Sequence, residues 1–245
     1  MKKSKSNFIF QRIKFLSYLL INFRVKELMR YLLWIVKYQS TLPSNLINNI
    51  IIFENNEPLI ELKNSNRLII NAPIPKVRES VYIMIKEVIK YLPKNLTLCV
   101  VFAYRDLETQ EKFWGEAIQK TRELFPNISE DQIILKAKKL SALPTGDGPH
   151  QTGGAIDVIL LDQFGNELPM GTTYREPKDI HKVSMFSKYC TKEEKNNRKI
   201  LRKAMLKSGF YYYPGEWWHY SYGDRMWAAY TGNTFAIYGS IKIPQ

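Results

Sequence analysis

Two short stretches of this sequence hold four side chains that could together activate water on a metal ion. His150 precedes Asp157 by seven positions, and Glu216 precedes His219 by three. Two imidazoles and one carboxylate form a three-ligand zinc site that leaves one position open for water. A fourth acidic group that is not a ligand can then accept a proton from that water. These four residues are therefore candidates for a hydrolytic zinc centre.

The local sequence around Asp157 fits this chemistry but also fits a simpler one. Gly153-Gly154 allows a tight turn before the apolar residues 155–161, which predict a buried strand with one charged residue inside it. An ionised carboxylate in a buried strand is costly unless it is paired or binds a metal. Asp157 is then either a metal ligand or the partner of an arginine or lysine, with His150 and His219 as hydrogen-bonded core residues. Spacing and composition leave both interpretations open.

The wider sequence resembles the zinc D-alanyl-D-alanine dipeptidases, the group that includes the vancomycin-resistance dipeptidase. The resemblance starts from Pro149-His150-x-Thr152-Gly153-Gly154-Ala155-Ile156-Asp157 followed by Glu216-Trp217-Trp218-His219-Tyr220. It extends to the wider D,D-peptidase and hedgehog-like metal fold, and it covers the chain from about residue 45 to the C-terminus. Other segments in the family's order are residues 57–62, 104–110, 170–172, 197–198, 209–210 and 221–228.

This resemblance implies a role for each residue that matches the family's motifs. It implies one zinc ion per chain, held by His150, Asp157 and His219, with Glu216 as the catalytic base. Arg105, which follows a predicted buried strand, is implied to stabilise the oxyanion of the tetrahedral intermediate, and a permanent cation with a fork of donors suits that task. The implied substrate is a small peptide containing D-Ala, most simply the dipeptide D-Ala-D-Ala.

The sequence departs from the family pattern at two places near the expected substrate. Tyr174 is followed by Arg175, where the family has an acidic residue that helps to hold the free amino group of a dipeptide. Glu176 could take that role if the loop shifts by one residue. Gly148 stands where a serine is common. Gly148, Tyr174 and Glu176 are thus candidate substrate contacts.

Two alternatives to a strict dipeptidase follow from these departures and from composition. One is a D,D-carboxypeptidase or another peptidase that acts on cell-wall fragments. The other belongs to a different class: a non-catalytic zinc-binding domain, against which the presence of Glu216 and Arg105 argues.

His181, the third histidine, lies in a polar stretch and is expected at the surface. The two cysteines predict neither a disulfide framework nor a Cys-x-x-Cys zinc motif.

The pattern predicts an α+β fold in which helices flank a small, mainly antiparallel central sheet, as in the D,D-peptidase and hedgehog-like proteins. We expect a zinc metallopeptidase domain over residues 45–245. Within it, residues 47–53, 68–70 and 97–103 are predicted strands. Helices are predicted from Pro75 to about residue 92 and over residues 107–125. Capping boxes at Ser129 and Thr191 predict two further helix starts.

Residues 1–44 form a basic arm that the resemblance does not cover. Residues 1–40 carry nine Lys or Arg and one Glu, so +8 of the net charge of +13 lies there. The arm is expected to be an extra helix, either packed on the domain or lying as an amphipathic helix on an anionic membrane. The rest of the chain has only a mild basic excess, so no nucleic-acid partner is expected. We expect a cytoplasmic bacterial protein, with periplasmic or membrane-associated placement as alternatives.

Overall fold

The computed structural model describes residues 17, 41–138, 140–141, 143–144, 148–174 and 179–242. The strands in these ranges are β1 Ile51–Ile52, β2 Leu59–Glu61, β3 Leu68–Ile70, β4 Lys76–Arg78, β5 Thr97–Phe102, β6 Ala155–Leu161, β7 Tyr211–Tyr212, β8 His219–Ser221 and β9 Phe235–Ala236. The helices are α1 Ser44–Asn48, α2 Glu79–Tyr91, α3 Leu107–Leu124, α4 Glu130–Ala137, α5 Lys192–Lys207 and α6 Arg225–Thr231, with short 3-10 helices at Pro149–Thr152 and Ile180–Lys182.

The centre of the fold is a five-stranded sheet in the order β3-β5-β6-β8-β7. Only β3 and β5 pair in parallel, and the other three pairs are antiparallel. Every residue of β6 is buried, so both faces of this middle strand are covered. Its near-continuous apolar sequence is what a strand covered on both faces requires. The predicted α+β class with a mainly antiparallel sheet is therefore confirmed.

Two local predictions are wrong, and both fail where strands pair over long distances. Residues 47–53 do not form one strand: Ser44–Asn48 is a helix with Leu46 buried, and only Ile51–Ile52 is extended. That short strand pairs with β9, far along the chain. The helix predicted from Pro75 begins instead at Glu79, because Lys76–Arg78 pairs antiparallel with β2. A short apolar run does not specify its partner, so periodicity alone could not separate helix from strand here.

The helix α5 begins and ends as its sequence predicts. Thr191 and Glu194 form a reciprocal capping box, in which the Glu194 carboxylate accepts from the Thr191 backbone N–H at 2.7 Å and the Thr191 hydroxyl accepts from the Glu194 N–H at 3.2 Å. Just past its end, Gly209 adopts a φ of +100°, a conformation that favours glycine. The helix can therefore present Arg198 toward the core from a fixed position.

The predictions made for residues 1–16 and 18–40 of the basic arm lie outside the described residues. Where the described chain resumes, Leu42 is buried, and its backbone N–H donates to the Tyr230 hydroxyl at 2.9 Å. The division of the chain at residue 44 stays a prediction. Within the ranges given above, no helix is long and apolar enough to cross a membrane.

A buried arginine ties the edge of the fold to the 3-10 helix that carries His150. Arg78 is 1% exposed, and its guanidinium donates to the carbonyl oxygens of Thr152 at 2.7 Å, Glu57 at 2.7 Å and Gly239 at 3.1 Å. Both carboxylate oxygens of Glu54 accept from it at 2.9 Å. The planar guanidinium fork can satisfy these acceptors at once, which an ammonium group cannot do. Arg78 therefore fixes the start of the segment that leads into β6.

We expect Arg78→Lys to destabilise the protein by about 2–4 kcal/mol, because several buried acceptors lose their donor. Urea unfolding monitored by circular dichroism measures this change. Arg122→Lys is the matched control, since Arg122 pairs with Glu130 at the exposed surface and should change stability by less than about 1 kcal/mol. Equal effects of the two substitutions would contradict the proposed anchoring by Arg78.

Candidate metal centre

The register of the central sheet brings Asp157 and His219 together. Asp157 on β6 lies directly opposite His219 on β8, and the strands are antiparallel. Side chains opposite one another in an antiparallel pair project from the same face of the sheet and lie within contact distance. The 62 residues that separate them in sequence are bridged by this one pairing.

His150 reaches the same point from the 3-10 helix Pro149–Thr152. Its backbone oxygen accepts from the Arg105 N–H at 3.2 Å, and its Nδ1 donates to the Ala103 carbonyl oxygen at 2.8 Å. The helix ends at Gly153, whose φ is +70°. A Cβ there would also come within 2.5 Å of the Leu59 side chain. Gly153 is therefore required both by the turn and by the close approach of its neighbour.

The three side chains form a compact buried cluster. Nε2 of His150 lies 3.3 Å from Oδ1 of Asp157, and Nδ1 of His219 lies 3.0 Å from the same oxygen. The centroids of the two imidazole rings are 4.9 Å apart. One ligand atom from each residue can be chosen so that all lie within 4.8 Å of one another, and all three residues are buried. The predicted candidates are thus brought together.

The donor set of the cluster fits a zinc ion. Asp157 is hydrogen-bonded to imidazole and to the Tyr174 hydroxyl, and in the described part of the chain no arginine or lysine pairs with it. The bond from Nδ1 of His150 to a backbone carbonyl leaves the lone pair on Nε2, which is the form a metal requires. Two imidazoles and a carboxylate are a ligand set that zinc accepts. Among the described residues, the partners of Asp157 are therefore imidazole and hydroxyl groups rather than Arg or Lys.

In the metal-free protein, the pKa values of the three side chains depend on burial and on the charges of the other two. Burial lowers the pKa of His150 to about 4, although the nearby Asp157 acts in the opposite direction. Burial would raise the pKa of Asp157, but the two imidazoles hold it well below its ordinary value. Burial would lower the pKa of His219, but the hydrogen bond and charge of Asp157 raise it. Near neutral pH the carboxylate is thus ionised and His150 is neutral, whereas His219, with its raised pKa, must release a proton before it can bind a metal.

Glu216 lies beside this cluster on the tight turn that precedes β8. Its backbone N–H donates to the Tyr213 carbonyl oxygen at 3.2 Å. Burial raises the pKa of the Glu216 carboxyl; the charge of His219 opposes this rise, and the charge of Asp157 adds to it. A carboxylate with a raised pKa is a better proton acceptor near neutral pH. Glu216 has the surroundings expected of a general base.

Arg105 is held by its neighbours at the end of β5. Its guanidinium carbon lies 4.4 Å from the centre of the Phe102 ring and 5.0 Å from that of Phe113. Its Nη1 donates to Oε1 of Gln110 at 2.8 Å. The positive charge of Arg105 acts on both His150 and Glu216. Gln110 was part of the family-like segment 104–110, but the sequence did not indicate its supporting role.

The structure describes two of the three residues that the sequence predicted to contact the substrate. The Gly148 N–H donates to Oε1 of Gln151 at 2.6 Å, and a Cβ at Gly148 would lie 2.8 Å from that oxygen. The glycine therefore leaves room for the glutamine side chain. Tyr174 donates to a candidate metal ligand, a contact that the sequence did not predict. Glu176 lies outside the described residues, and His181 is exposed as expected.

Comparisons with known proteins show the family of this chain. The sequence model of the peptidase M15 family, described as D-ala-D-ala dipeptidase, matches residues 76–237, which is about two thirds of the chain. The chain therefore belongs to this metallopeptidase family. It is 35% identical over 115 residues to a D-alanyl-D-alanine dipeptidase of Synechocystis, a match that covers 40% of this chain and 45% of the relative.

Other relatives bear the same name. The D-alanyl-D-alanine dipeptidase of Enterococcus faecium is 36% identical over 103 residues, covering 41% of this chain and 46% of the relative. The one of Escherichia coli is 35% identical over 127 residues, covering 51% and 55%. The matches thus span about half the length of the curated relatives. A solved structure of the vancomycin resistance D,D-pentapeptidase VanY aligns over 75% of this chain and 83% of that chain, with a TM-score of 0.42 and 15% identity.

The raised pKa of Glu216 predicts a pH-dependent effect of Glu216→Gln on the stability of the metal-free protein. The folded state holds this proton to a higher pH than the unfolded state, whose carboxyl titrates near 4.5. Stability from this group is therefore present at low pH and is lost as the pH rises through the folded pKa. The variant has no carboxyl group at this position and therefore does not lose this stability. The free energy of unfolding of the variant minus that of the parent should increase as the pH rises.

Urea unfolding at about pH 5 and about pH 8 measures this difference. Glu193→Gln, at an exposed position in the first turn of α5, is the control and should show no comparable trend. A relative stability of the Glu216 variant that falls as the pH rises would contradict the raised pKa.

Proposed function

We propose that this chain is a zinc-dependent peptidase that hydrolyses D-alanyl-D-alanine. The observation that carries the proposal is the buried cluster of His150, Asp157 and His219, whose candidate ligand atoms lie within 4.8 Å of one another. Family membership and the names of the relatives support the choice of substrate. The placement of Glu216 and Arg105 beside the cluster supports catalysis rather than metal binding alone.

The three cluster residues would hold one zinc ion. When bound, this ion supplies Lewis acidity, which lowers the pKa of water to about 7 and polarises a carbonyl group. The chain prepares for this by keeping Asp157 ionised and His150 neutral. The Ala103 carbonyl oxygen fixes the ring orientation of His150, so the nitrogen facing the cluster needs no rearrangement before ligation.

Glu216 would act as the general base and then as the general acid. Its carboxylate takes a proton from the attacking water and returns it to the amine that leaves. The two residues that follow it, Trp217 and Trp218, are buried, and their rings meet edge to face with centroids 5.4 Å apart, so this part of the site would hold little bulk water. Exclusion of water strengthens the electrostatic interactions within the site.

Arg105 would stabilise the negative charge that develops on the substrate carbonyl oxygen. The two phenylalanine rings and Gln110 hold its side chain before the substrate arrives, so little reorganisation is needed during the reaction. Its guanidinium stays protonated throughout, and it can donate more than one hydrogen bond. These are the properties required of an oxyanion-stabilising group.

We expect the zinc-loaded protein to release D-alanine from D-Ala-D-Ala, and Glu216→Gln to reduce kcat by about 10²–10⁴-fold, the usual contribution of a general base. Amine release gives the rate, and metal analysis must show that the variant still holds one zinc ion. Glu193→Gln, which changes an exposed glutamate in the same way, should keep the parental rate.

Longer and N-blocked peptides that end in D-Ala-D-Ala separate the alternatives in the same assay. Cleavage of these peptides without cleavage of the free dipeptide would replace the dipeptidase with a D,D-carboxypeptidase, an alternative consistent with Arg175 in place of the family's acidic residue. Zinc binding without cleavage of any of them would support the non-catalytic interpretation.

We expect Arg105→Lys to reduce kcat by about 10²–10³-fold with unchanged zinc content, because a lysine cannot reproduce the guanidinium fork beside the oxyanion. Steady-state kinetics on D-Ala-D-Ala measures this loss. Arg122→Lys is again the surface control. A change confined to KM would contradict a role in the transition state and would instead indicate uniform substrate binding.

A further inference from the structure

A single buried arginine binds backbone groups of the described residues 169–174 and 179–191, which lie between β6 and α5. Arg198 on α5 is 1% exposed. Its Nε donates to the Met170 carbonyl oxygen at 2.7 Å, Nη1 donates to that of Ser184 at 2.6 Å, and Nη2 donates to that of Lys182 at 2.5 Å. The neighbouring Asn197 donates to the Pro169 carbonyl oxygen at 2.9 Å. Acceptors at both ends of the segment are thus gathered onto one helix.

The same segment carries Tyr174 to the metal centre. The Tyr174 hydroxyl donates to Oδ2 of Asp157 at 3.0 Å, and its ring meets Trp218 edge to face at 5.7 Å. The other carboxylate oxygen, Oδ1, faces both His150 and His219. The two oxygens of Asp157 therefore have separate partners: one is held by the tyrosine, and the other is directed into the cluster.

We propose that Tyr174 and Arg198 are positioning residues of the metal centre. Tyr174 fixes the rotation of the Asp157 carboxylate so that Oδ1 is presented to the ion, and Arg198 holds the segment that delivers Tyr174. This inference rests on the proposed zinc site but not on the identity of the peptide substrate. It also gives Tyr174 a different task from the substrate contact that the sequence predicted.

The physical basis is the orientation of a ligand by its outer partner. A carboxylate without such a partner can rotate and offer either oxygen or both, and this freedom is lost when the metal binds. Replacing an outer partner typically reduces metal affinity by about 10–100-fold. Tyr174→Phe removes only the hydroxyl and keeps the ring that packs on Trp218, so it isolates the hydrogen bond.

Arg198 acts on Tyr174 through the backbone. Arg198→Lys keeps the charge and the length of the side chain, but an ammonium cannot reach three divergent carbonyl oxygens as a planar guanidinium does. The segment that ends at Tyr174 should then lose its fixed path. Because the effect on the metal passes through one hydroxyl, Arg198→Lys should have little further effect on zinc affinity once that hydroxyl is absent.

The test is a zinc titration of the full chain in competition with a chromophoric chelator. We expect Tyr174→Phe and Arg198→Lys each to weaken zinc binding by about 10–100-fold, and the double variant to lose no more than the larger single loss. Tyr189→Phe removes a hydroxyl from an exposed tyrosine and should bind zinc like the parent. Visible absorption with cobalt(II) as the probe should change in Tyr174→Phe and not in Tyr189→Phe.

Circular dichroism of the metal-free variants at the titration temperature must show folded protein, so that lost affinity is not lost structure. Parental zinc affinity in Tyr174→Phe would overturn the role of the hydroxyl. Additive losses in the double variant would overturn the route from Arg198 through Tyr174. A parent that binds no zinc would overturn both this inference and the proposed metal centre. A parent that binds zinc without cleaving D-Ala-D-Ala would overturn only the proposed substrate, and the zinc affinities of the variants would still test the roles of Tyr174 and Arg198.

Discussion

Asp157 places an ionised carboxylate in the middle strand of a buried sheet, and the cost of removing its charge from water determines what must surround it. Two imidazoles and one tyrosine hydroxyl converge on this group, each from a different part of the chain. A charge in a site of low dielectric constant is tolerated only when such partners are close and well oriented. The surrounding structure can be understood as the means of bringing these partners to a fixed place.

Hydrogen bonds to backbone carbonyl groups hold several of these partners in place. The Ala103 oxygen orients His150, and Arg78 holds the Thr152 oxygen. Arg198 binds the carbonyl oxygens of Met170, Lys182 and Ser184, which precede and follow Tyr174 in the sequence. In the last two cases, a buried guanidinium replaces regular secondary structure as the partner of the main chain. Irregular segments can thus be held in place by side chains, which is what a site that combines strands with irregular segments requires.

Local signals in the sequence predicted the fold class and the candidate ligands, but only the family resemblance predicted that the ligands would form one cluster. The types and spacing of His150, Asp157 and His219, together with the family resemblance, identified groups that the structure brings together. What failed were features set by distant partners. Residues 51–52 pair with β9, and residues 76–78 pair with β2, so neither a strand over 47–53 nor a helix from Pro75 could form as predicted. The contact of Tyr174 with Asp157 likewise depends on the path of an irregular segment, which no periodic pattern encodes.

The pairing of β6 with β8 also has a consequence for synthesis on the ribosome. His150 and Asp157 leave the exit tunnel almost together, but His219 follows only after 62 further residues. Until then a nascent chain has two of the three candidate ligands, and Glu216, three residues before His219, is also missing. The complete cluster can therefore assemble only late, when β8 joins the sheet. A nascent chain that stalls before residue 216 would lack both the third candidate ligand and Glu216, so it could not form the complete site however well its earlier strands had folded.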